Sequence, residues 1–494
     1  MSTLMHSYYF TQEHELFRQT LRQFLEKEIL PHIDEWEKAQ QVPKEVWKRF
    51  GQQGFLGVDY PEKYGGAGLD FFYTVIFCEE ISRLFSGGFG VAPIVSLYMA
   101  APYIYKYGTE ALKAKYLPPL LRGEKLAAIG ISEPGAGSDV ANIQTKATRQ
   151  GDRYIINGQK TFISNGYYGD FIVLVTKTNP AAGLDGFSLI LVELDRPGIS
   201  KNKLQKMGWH ASDTAEIFFE NVEVPVENLI GEEGKGFYYL MEGLQLERLV
   251  GAIAAISGTE RLIEYTLEYM GQRQAFGRTL DRFQVLRHRM AQLHAECEVL
   301  KAYTYYCARL HQDGHYAVKE CSIAKLLTTE FANKAAYECL QMFGGYGYIE
   351  DYKVARAYRD ARILTIGAGT SEIMREIIAK MLIDDKKYHR PAAVAKDEAE
   401  DLASVIGILR SKAAQHPVPA PILLDLSAKK LILEGHEVRE VEDGAQAACT
   451  IAVHPTDLLA LLKGELSPMQ AFMGGRIKVT GDSSVAMQLV SLFR

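Results

Sequence analysis

Residues 358–372, YRDARILTIGAGTSE, put a Gly367-Ala368-Gly369 turn directly before Thr370-Ser371, which reads as the cap of a new helix, SEIMREIIAKMLIDD. Glycines let the backbone come close to a ligand, and a helix start offers unpaired N–H groups to an anion. A plain helix-turn-helix corner would carry the same residues. A second glycine turn lies in Ile129 to Asp139, IGISEPGAGSD, where Gly135-Ala136-Gly137 leads into Ser138-Asp139. A lone G-x-G is a weak signal and equally fits a strand-ending turn. Arg273, in RQAFG, brings a planar guanidinium that suits phosphate oxygens. Glu247, in GLQLERL, is a carboxylate on a helical pattern, whose usual fate is an exposed pair with Lys or Arg. Turned into an apolar pocket, it would have a raised pKa and accept a proton more readily.

The chain as a whole limits what these groups can belong to. At 494 residues it exceeds one typical domain. Its 47% hydrophobic and 23% charged content is that of a globular protein. A net charge of −6 and the lack of any Lys/Arg-rich run give no field for nucleic acid. The six cysteines are scattered, with no C-x-x-C, which fits buried thiols in a reducing compartment. The N-terminus has no basic n-region before an apolar run, and no uninterrupted apolar stretch reaches bilayer length. The cytoplasm is the expected compartment.

The positioning elements follow from periodicity. From Thr11 the pattern is helical, with Leu16, Phe17, Leu21, Phe24 and Leu25 on one face. Further helices are expected over 44–53, 71–84 and 97–107. The texture then turns to β, with runs at 154–156, 170–176, 186–194 and 216–219 broken by Asn157-Gly158 and Asn165-Gly166 turns. Long helical periods return at 236–272, 283–312, 318–343 and 370–384, enough for a four-helix bundle. After a linker-like YHRPAAVAKDEAED come a helix over 399–415, short strands and a last helix over 483–493. The expected fold is multi-domain α+β: an N-terminal helical domain (1–126), a central β domain (127–228), a C-terminal helical bundle (229–387) and a small α+β domain (397–494).

Taken together in order, these strings resemble the acyl-CoA dehydrogenases over nearly the whole chain before the tail. The resemblance implies FAD between the β domain and the bundle. Ile129, Ile131 and Ser132 would lie along the isoalloxazine, with Ser132 hydrogen-bonding near N5. Phe162 and Ser164, in KTFISN, match the second flavin strand, and Phe162 is a lid for the ring face or else a core phenylalanine. Arg273, Phe276 and Gln284 match the segment that reaches the FAD pyrophosphate from a neighbouring subunit, which implies a homotetramer or dimer. Gln341, Gly344 and Gly345 match the adenosine end, and Thr370, Ser371 and Glu372 complete the cradle. Ser138 matches the residue that meets the phosphopantetheine or phosphate part of acyl-CoA.

Most of the family carries its catalytic glutamate where this chain has Ala368. The Ala368 N–H can still polarise a thioester carbonyl beside Gly369, but the carboxylate is missing. Glu247 resembles the base of the isovaleryl- and long-chain branches, which supply it from another helix and keep a small residue in the turn. Residues matched to Gln245 and Arg248 bind substrate in the family, and Tyr238 is a candidate pocket wall. Gly251, Ala252, Ala254 and Ala255 could make room for a long or branched chain, or could be close helix packing. The resemblance implies oxidation of a saturated acyl-CoA to the trans-2-enoyl-CoA, long-chain by the wording of 236–241, with electrons passed to electron-transferring flavoprotein. The alternatives are a branched short-chain substrate, an oxidase, or a non-catalytic acyl-CoA or lipid carrier. Residues 462–493 resemble the end of the sterol-carrier-protein type 2 family, in which Met469, Met473 and Met487 could line an apolar pocket.

Overall fold

A computed structural model describes residues 3–388, 402, 405–413, 417–426, 429–442, 445–462, 468–473, 476–482 and 485. The chain divides into two compact units, residues 1–67 with 71–389 and residues 68–70 with 390–494.

The larger unit begins with helices α1 (Thr3–Tyr9), α2 (Gln12–Phe24), α3 (Ile33–Ala39), α4 (Lys44–Gln52), α5 (Phe71–Ser82), α6 (Gly87–Ile94), α7 (Ala101–Tyr107) and α8 (Glu110–Leu121). Of the face expected for α2, Leu21 and Leu25 just beyond it are buried and Phe17 and Phe24 are half-buried, but Leu16 is 65% exposed, while His14 and Arg18 are buried. Arg18 is drawn inward because it donates to Glu79 (2.5 Å) and Glu80 (3.3 Å) of α5. Helix is also continuous from Gly87 to Tyr107, ten residues earlier than the apolar pattern predicts. It is long and apolar enough to cross a membrane, contrary to the reading of the sequence, but 83% of its apolar window is buried inside the protein. That is the burial of a core helix.

Strands β1 (Ala127–Gly130), β2 (Lys146–Gln150), β3 (Arg153–Ser164), β4 (Phe171–Lys177), β5 (Phe187–Glu193), β6 (Ile199–Lys203), β7 (Thr214–Pro225) and β8 (Leu229–Ile230) form one sheet in the order β6-β7-β3-β2-β4-β5-β8, with β1 parallel to β4. The Asn157-Gly158 pair does not end a strand as expected. β3 runs through it with a register shift, because Asn157 Oδ1 accepts the Asn221 N–H (2.9 Å) and Gly158 packs where a Cβ would meet Thr145 at 2.6 Å. The result is a bulge. Asn165-Gly166 does end β3, and Asn165 Nδ2 donates to the carbonyls of Ala92 and Ala127 (2.9 Å each), tying that end to α6 and β1.

The remaining helices are α9 (Gly236–Gln272), α10 (Gln284–Gln312), α11 (Val318–Phe343), α12 (Lys353–Ala361) and α13 (Ser371–Leu382), with a hairpin of β9 (Gln274–Ala275) and β10 (Arg278–Thr279) between α9 and α10. Ile256, Ile263, Met290, Leu293, Phe331 and Met342 bury the interface of α9, α10 and α11.

In the smaller unit β11 (Val418–Asp425), β12 (Lys430–Gly435), β13 (Glu437–Val441), β14 (Cys449–Val453) and β15 (Ile477–Gly481) pair in the order β13-β12-β11-β14-β15. Val405, Leu409 and Ala413 share a buried core with Ile422, Leu424, Leu431, Leu433 and Leu458. The expected final helix over 483–493 (apart from Val485), the linker beyond Tyr388, and the side chains of Met469, Met473 and Met487 lie outside the described residues.

Candidate active site

The site is built around Glu247, in the first third of α9, which packs against α10 and α11. Its side chain is 4% exposed, and burial pushes its carboxyl up to about 7 against the pull of a Tyr103 hydrogen bond and of Arg248. Tyr103, on α7, donates to Glu247 Oε1 at 2.9 Å. Arg248 turns the other way on the helix. Its Nη1 donates to Gln245 Oε1 at 3.4 Å, and its Nε is buried without a hydrogen-bond partner. Burial lowers the Arg248 pKa.

From α11, buried Lys325 donates to the carbonyl of Gly369. Burial first, and the Arg248 guanidinium second, push Lys325 down to about 8. That bond ties α11 to the 367–369 turn. Within the turn Ala368 has φ +53°, strained for a residue with a side chain, and Gly369 has φ +90°. A Cβ on Gly369 would also meet Met374 at 2.8 Å. Thr370 caps α13 by accepting the Ile373 N–H at 3.2 Å, and the Ser371 hydroxyl is buried without a partner. Glu372 is exposed in the first turn.

Helix geometry sorts the small residues after Glu247. Gly251 and Ala254 stand four and seven places on, on the same face, and both are half-buried; a Cβ on Gly251 would meet nothing within 4 Å. Ala252 turns away from that face, and both Ala252 and Ala255 are fully packed. Tyr238, nine residues before Glu247, lies on the opposite side of the helix. Its hydroxyl donates to Asp185 at 3.1 Å, so the structure does not bring it to the carboxylate as a pocket wall.

A second group of residues gathers along β1 and β3. Ile129, Ile131 and Ser132 are half-buried, and Ser164 is too. Two bonds hold the segment after β1 against β3: Thr161 N–H to the Ser132 carbonyl (2.9 Å) and Lys160 Nζ to the Ile131 carbonyl (3.0 Å). Lys160 is fully buried and also pairs with Glu133 at 2.8 Å; burial pushes it down to about 8. Glu133 accepts the N–H groups of Gln144 (2.5 Å) and Thr145 (3.0 Å), and the Lys160 ammonium helps hold its carboxyl below the usual range. Glu133 and Ala136 exchange backbone hydrogen bonds of 2.9 and 3.0 Å, which closes the turn and leaves Ser138 exposed. Phe162 is not a core phenylalanine. It sits in the second β3 register shift with φ +61°, and its ring is 71% exposed.

A third group lies at the far end of α9. Phe276 and Gly277 have φ +51° and +74°, as the tip of a two-residue hairpin requires, and the Phe276 ring is 95% exposed. The Arg273 guanidinium lies 5.2 Å from the centroid of Tyr346, beside exposed Gln341, Gly344 and Gly345. Gln284 opens α10 and is also exposed. Among the described residues no hydrogen bond, ion pair or ring contact joins this group to the β1–β3 group. The surface groove of about 510 Å³ along α10 and α11, lined by Gln284, His288, Gln292 and Lys334, does not include Glu247. Tyr103, Lys160 and Lys325 escape a reading of the sequence, because each reaches the site through a contact distant along the chain.

Residues 11–124, 128–222 and 234–383 match the N-terminal, middle and C-terminal domains of acyl-CoA dehydrogenases, and residues 389–494 match the SCP-2 sterol transfer family. The mouse mitochondrial long-chain specific acyl-CoA dehydrogenase is 43% identical over 76% of this chain and 88% of its own length. The isovaleryl-CoA dehydrogenase of Pongo abelii is 38% identical over 75% of this chain and 88% of its own. The crystal structure of an acyl-CoA dehydrogenase from Geobacillus kaustophilus, 46% identical, superposes with a TM-score of 0.74 over 76% of this chain and 99% of that one. The chain belongs to the acyl-CoA dehydrogenase family and carries a C-terminal SCP-2 domain.

Proposed function

We propose that this chain is an FAD-dependent acyl-CoA dehydrogenase that oxidises a long-chain saturated acyl-CoA to the trans-2-enoyl-CoA, with Glu247 as the base. The observation that carries this reading is a buried carboxylate poised near pH 7 and hydrogen-bonded by Tyr103, in a chain whose 367–369 turn, held by Lys325, has no titratable group at Ala368. Glu247 removes the α-proton and becomes a neutral acid. The Ala368 N–H and the turn held by Lys325 would orient the thioester carbonyl, and Gln245 and Arg248 would bind substrate as the matched residues of the family do.

The residues fit FAD. Phe162 presents a free ring on a strained bulge, Gly135 and Gly137 leave open space where a Cβ would stand, and the Ser371 hydroxyl is buried without a partner at a helix start. When bound, FAD supplies the acceptor for the β-hydride. Ile129, Ile131, Ser132, Phe162 and Ser164 would hold its ring, and Thr370, Ser371 and Glu372 would complete the cradle. Arg273, Phe276, Gln284, Gln341, Gly344 and Gly345 would serve the cofactor of a second copy. The separation of that exposed group from β1–β3 supports a homotetramer or dimer. Ser138 would meet the phosphate-bearing part of acyl-CoA.

Open space at Gly251, on the face of Glu247, supports a long chain over a short branched one. The SCP-2 domain would bind acyl chains or lipid and raise their concentration near the site. Electron-transferring flavoprotein would take the electrons, and six free buried thiols support a cytoplasmic setting. Anaerobic mixing of the FAD-loaded protein with palmitoyl-CoA and with isovaleryl-CoA tests the reading. Faster flavin bleaching by palmitoyl-CoA is expected; bleaching by isovaleryl-CoA alone would replace the substrate assignment.

A further inference from the structure

Glu247 has a fixed partner that the base assignment alone does not explain. Tyr103 is buried, and its hydroxyl lies 2.9 Å from Glu247 Oε1 and 3.5 Å from the Leu240 carbonyl. The phenol reaches that position by lying across Gly243, one helical turn before Glu247. A Cβ on Gly243 would stand 2.2 Å from the Tyr103 hydroxyl oxygen and 2.4 Å from Cζ. The Tyr103 ring would have to leave its position to relieve such an overlap. Gly243 sits inside a 37-residue helix, where glycine costs about 1 kcal/mol relative to alanine. Its use there is explained by the ring laid against it.

We infer that Tyr103, seated on the bare backbone of Gly243, is a positioning residue that holds Glu247 as a carboxylate aimed for proton abstraction. A phenol donates one hydrogen bond, and a charged acceptor gains more from it than a neutral one. The bond therefore offsets part of the burial that favours the neutral acid. The same hydroxyl can turn to the Leu240 carbonyl once Glu247 has taken a proton, so the phenol keeps an acceptor in both states.

The inference rests on Glu247 as base, and the test separates the two. Infrared difference titration of the FAD-loaded protein follows the protonated carboxyl band of Glu247, assigned by its absence in Glu247→Gln. Tyr103→Phe keeps the ring and removes the donor. It is expected to raise the midpoint by about one pH unit, the loss of one hydrogen bond to a charged group. Gly243→Ala keeps the tyrosine and removes its seat, and should move the midpoint the same way. Flavin content and melting temperature check that both variants are folded, and the acid limb of flavin reduction should follow the midpoint with KM nearly constant. An unmoved midpoint in folded Tyr103→Phe overturns the inference. Undiminished flavin reduction by Glu247→Gln would instead remove the base assignment, while the titration would still report on the Tyr103 bond.

Discussion

Replacing Lys160 by methionine isolates the ion pair that holds the Ile131–Ser132 segment. Lys160 is buried, pairs with Glu133 at 2.8 Å and donates to the Ile131 carbonyl at 3.0 Å. Removing the cation leaves a buried carboxylate with two backbone donors but no counter-charge, a loss of roughly 3–5 kcal/mol. Glu133 can limit the loss by taking a proton. From an ordinary carboxyl value of 4.5, protonation at pH 7 costs about 3 kcal/mol, which sets the ceiling. The sign with pH follows. In Lys160→Met the folded-state pKa of Glu133 rises above its unfolded value, so the variant binds a proton on folding and is penalised increasingly as pH rises through that range. The deficit should therefore be near 3 kcal/mol at pH 7 and shrink below about 1 kcal/mol at pH 5. Denaturant midpoints at the two pH values measure it, and Lys160→Met with Glu133→Gln should recover most of the loss. A deficit under about 1 kcal/mol at pH 7, or one that does not shrink at pH 5, would refute the ion pair as the brace of this segment.

The rate of flavin reduction should rise with pH through about 7, because the Glu247 pKa is raised to that value and only the carboxylate accepts the α-proton; a flat profile between pH 6 and 8 would contradict it. Gly251→Val should fill the open space beside Glu247 and lower kcat/KM for palmitoyl-CoA by roughly tenfold or more, while short-chain activity changes less. Lys325→Met releases the Gly369 carbonyl and should cost about tenfold in kcat/KM, with FAD retained, as loss of a charged hydrogen bond in the substrate turn predicts.

The long helices were legible because their periodicity is uninterrupted: 236–272 and 318–343 are read from the sequence with the bounds the structure gives. The start of the Gly87–Tyr107 run was not, since Gly87, Gly88, Gly90 and Pro93 are poor helix formers. Their reason is tertiary. A Cβ on Gly87 would stand 2.2 Å from the Trp209 indole nitrogen, and one on Gly88 would meet the 209–212 backbone at 2.8 Å. Leu16 misled for the converse reason: an arginine with two buried carboxylate partners takes the inward face that a leucine would otherwise fill. Glu247 could be singled out because Ala368 leaves a role vacant. Its partner Tyr103 lies 144 residues away, and no local pattern announces that contact.

The most direct test of the central claim is anaerobic flavin bleaching by palmitoyl-CoA in the wild type and in Glu247→Gln, with FAD content verified in both. Bleaching in the wild type that falls by at least about a hundredfold in the variant is the predicted result, the typical contribution of a general base. Bleaching that survives undiminished in Glu247→Gln would contradict the account and require a base elsewhere in the chain.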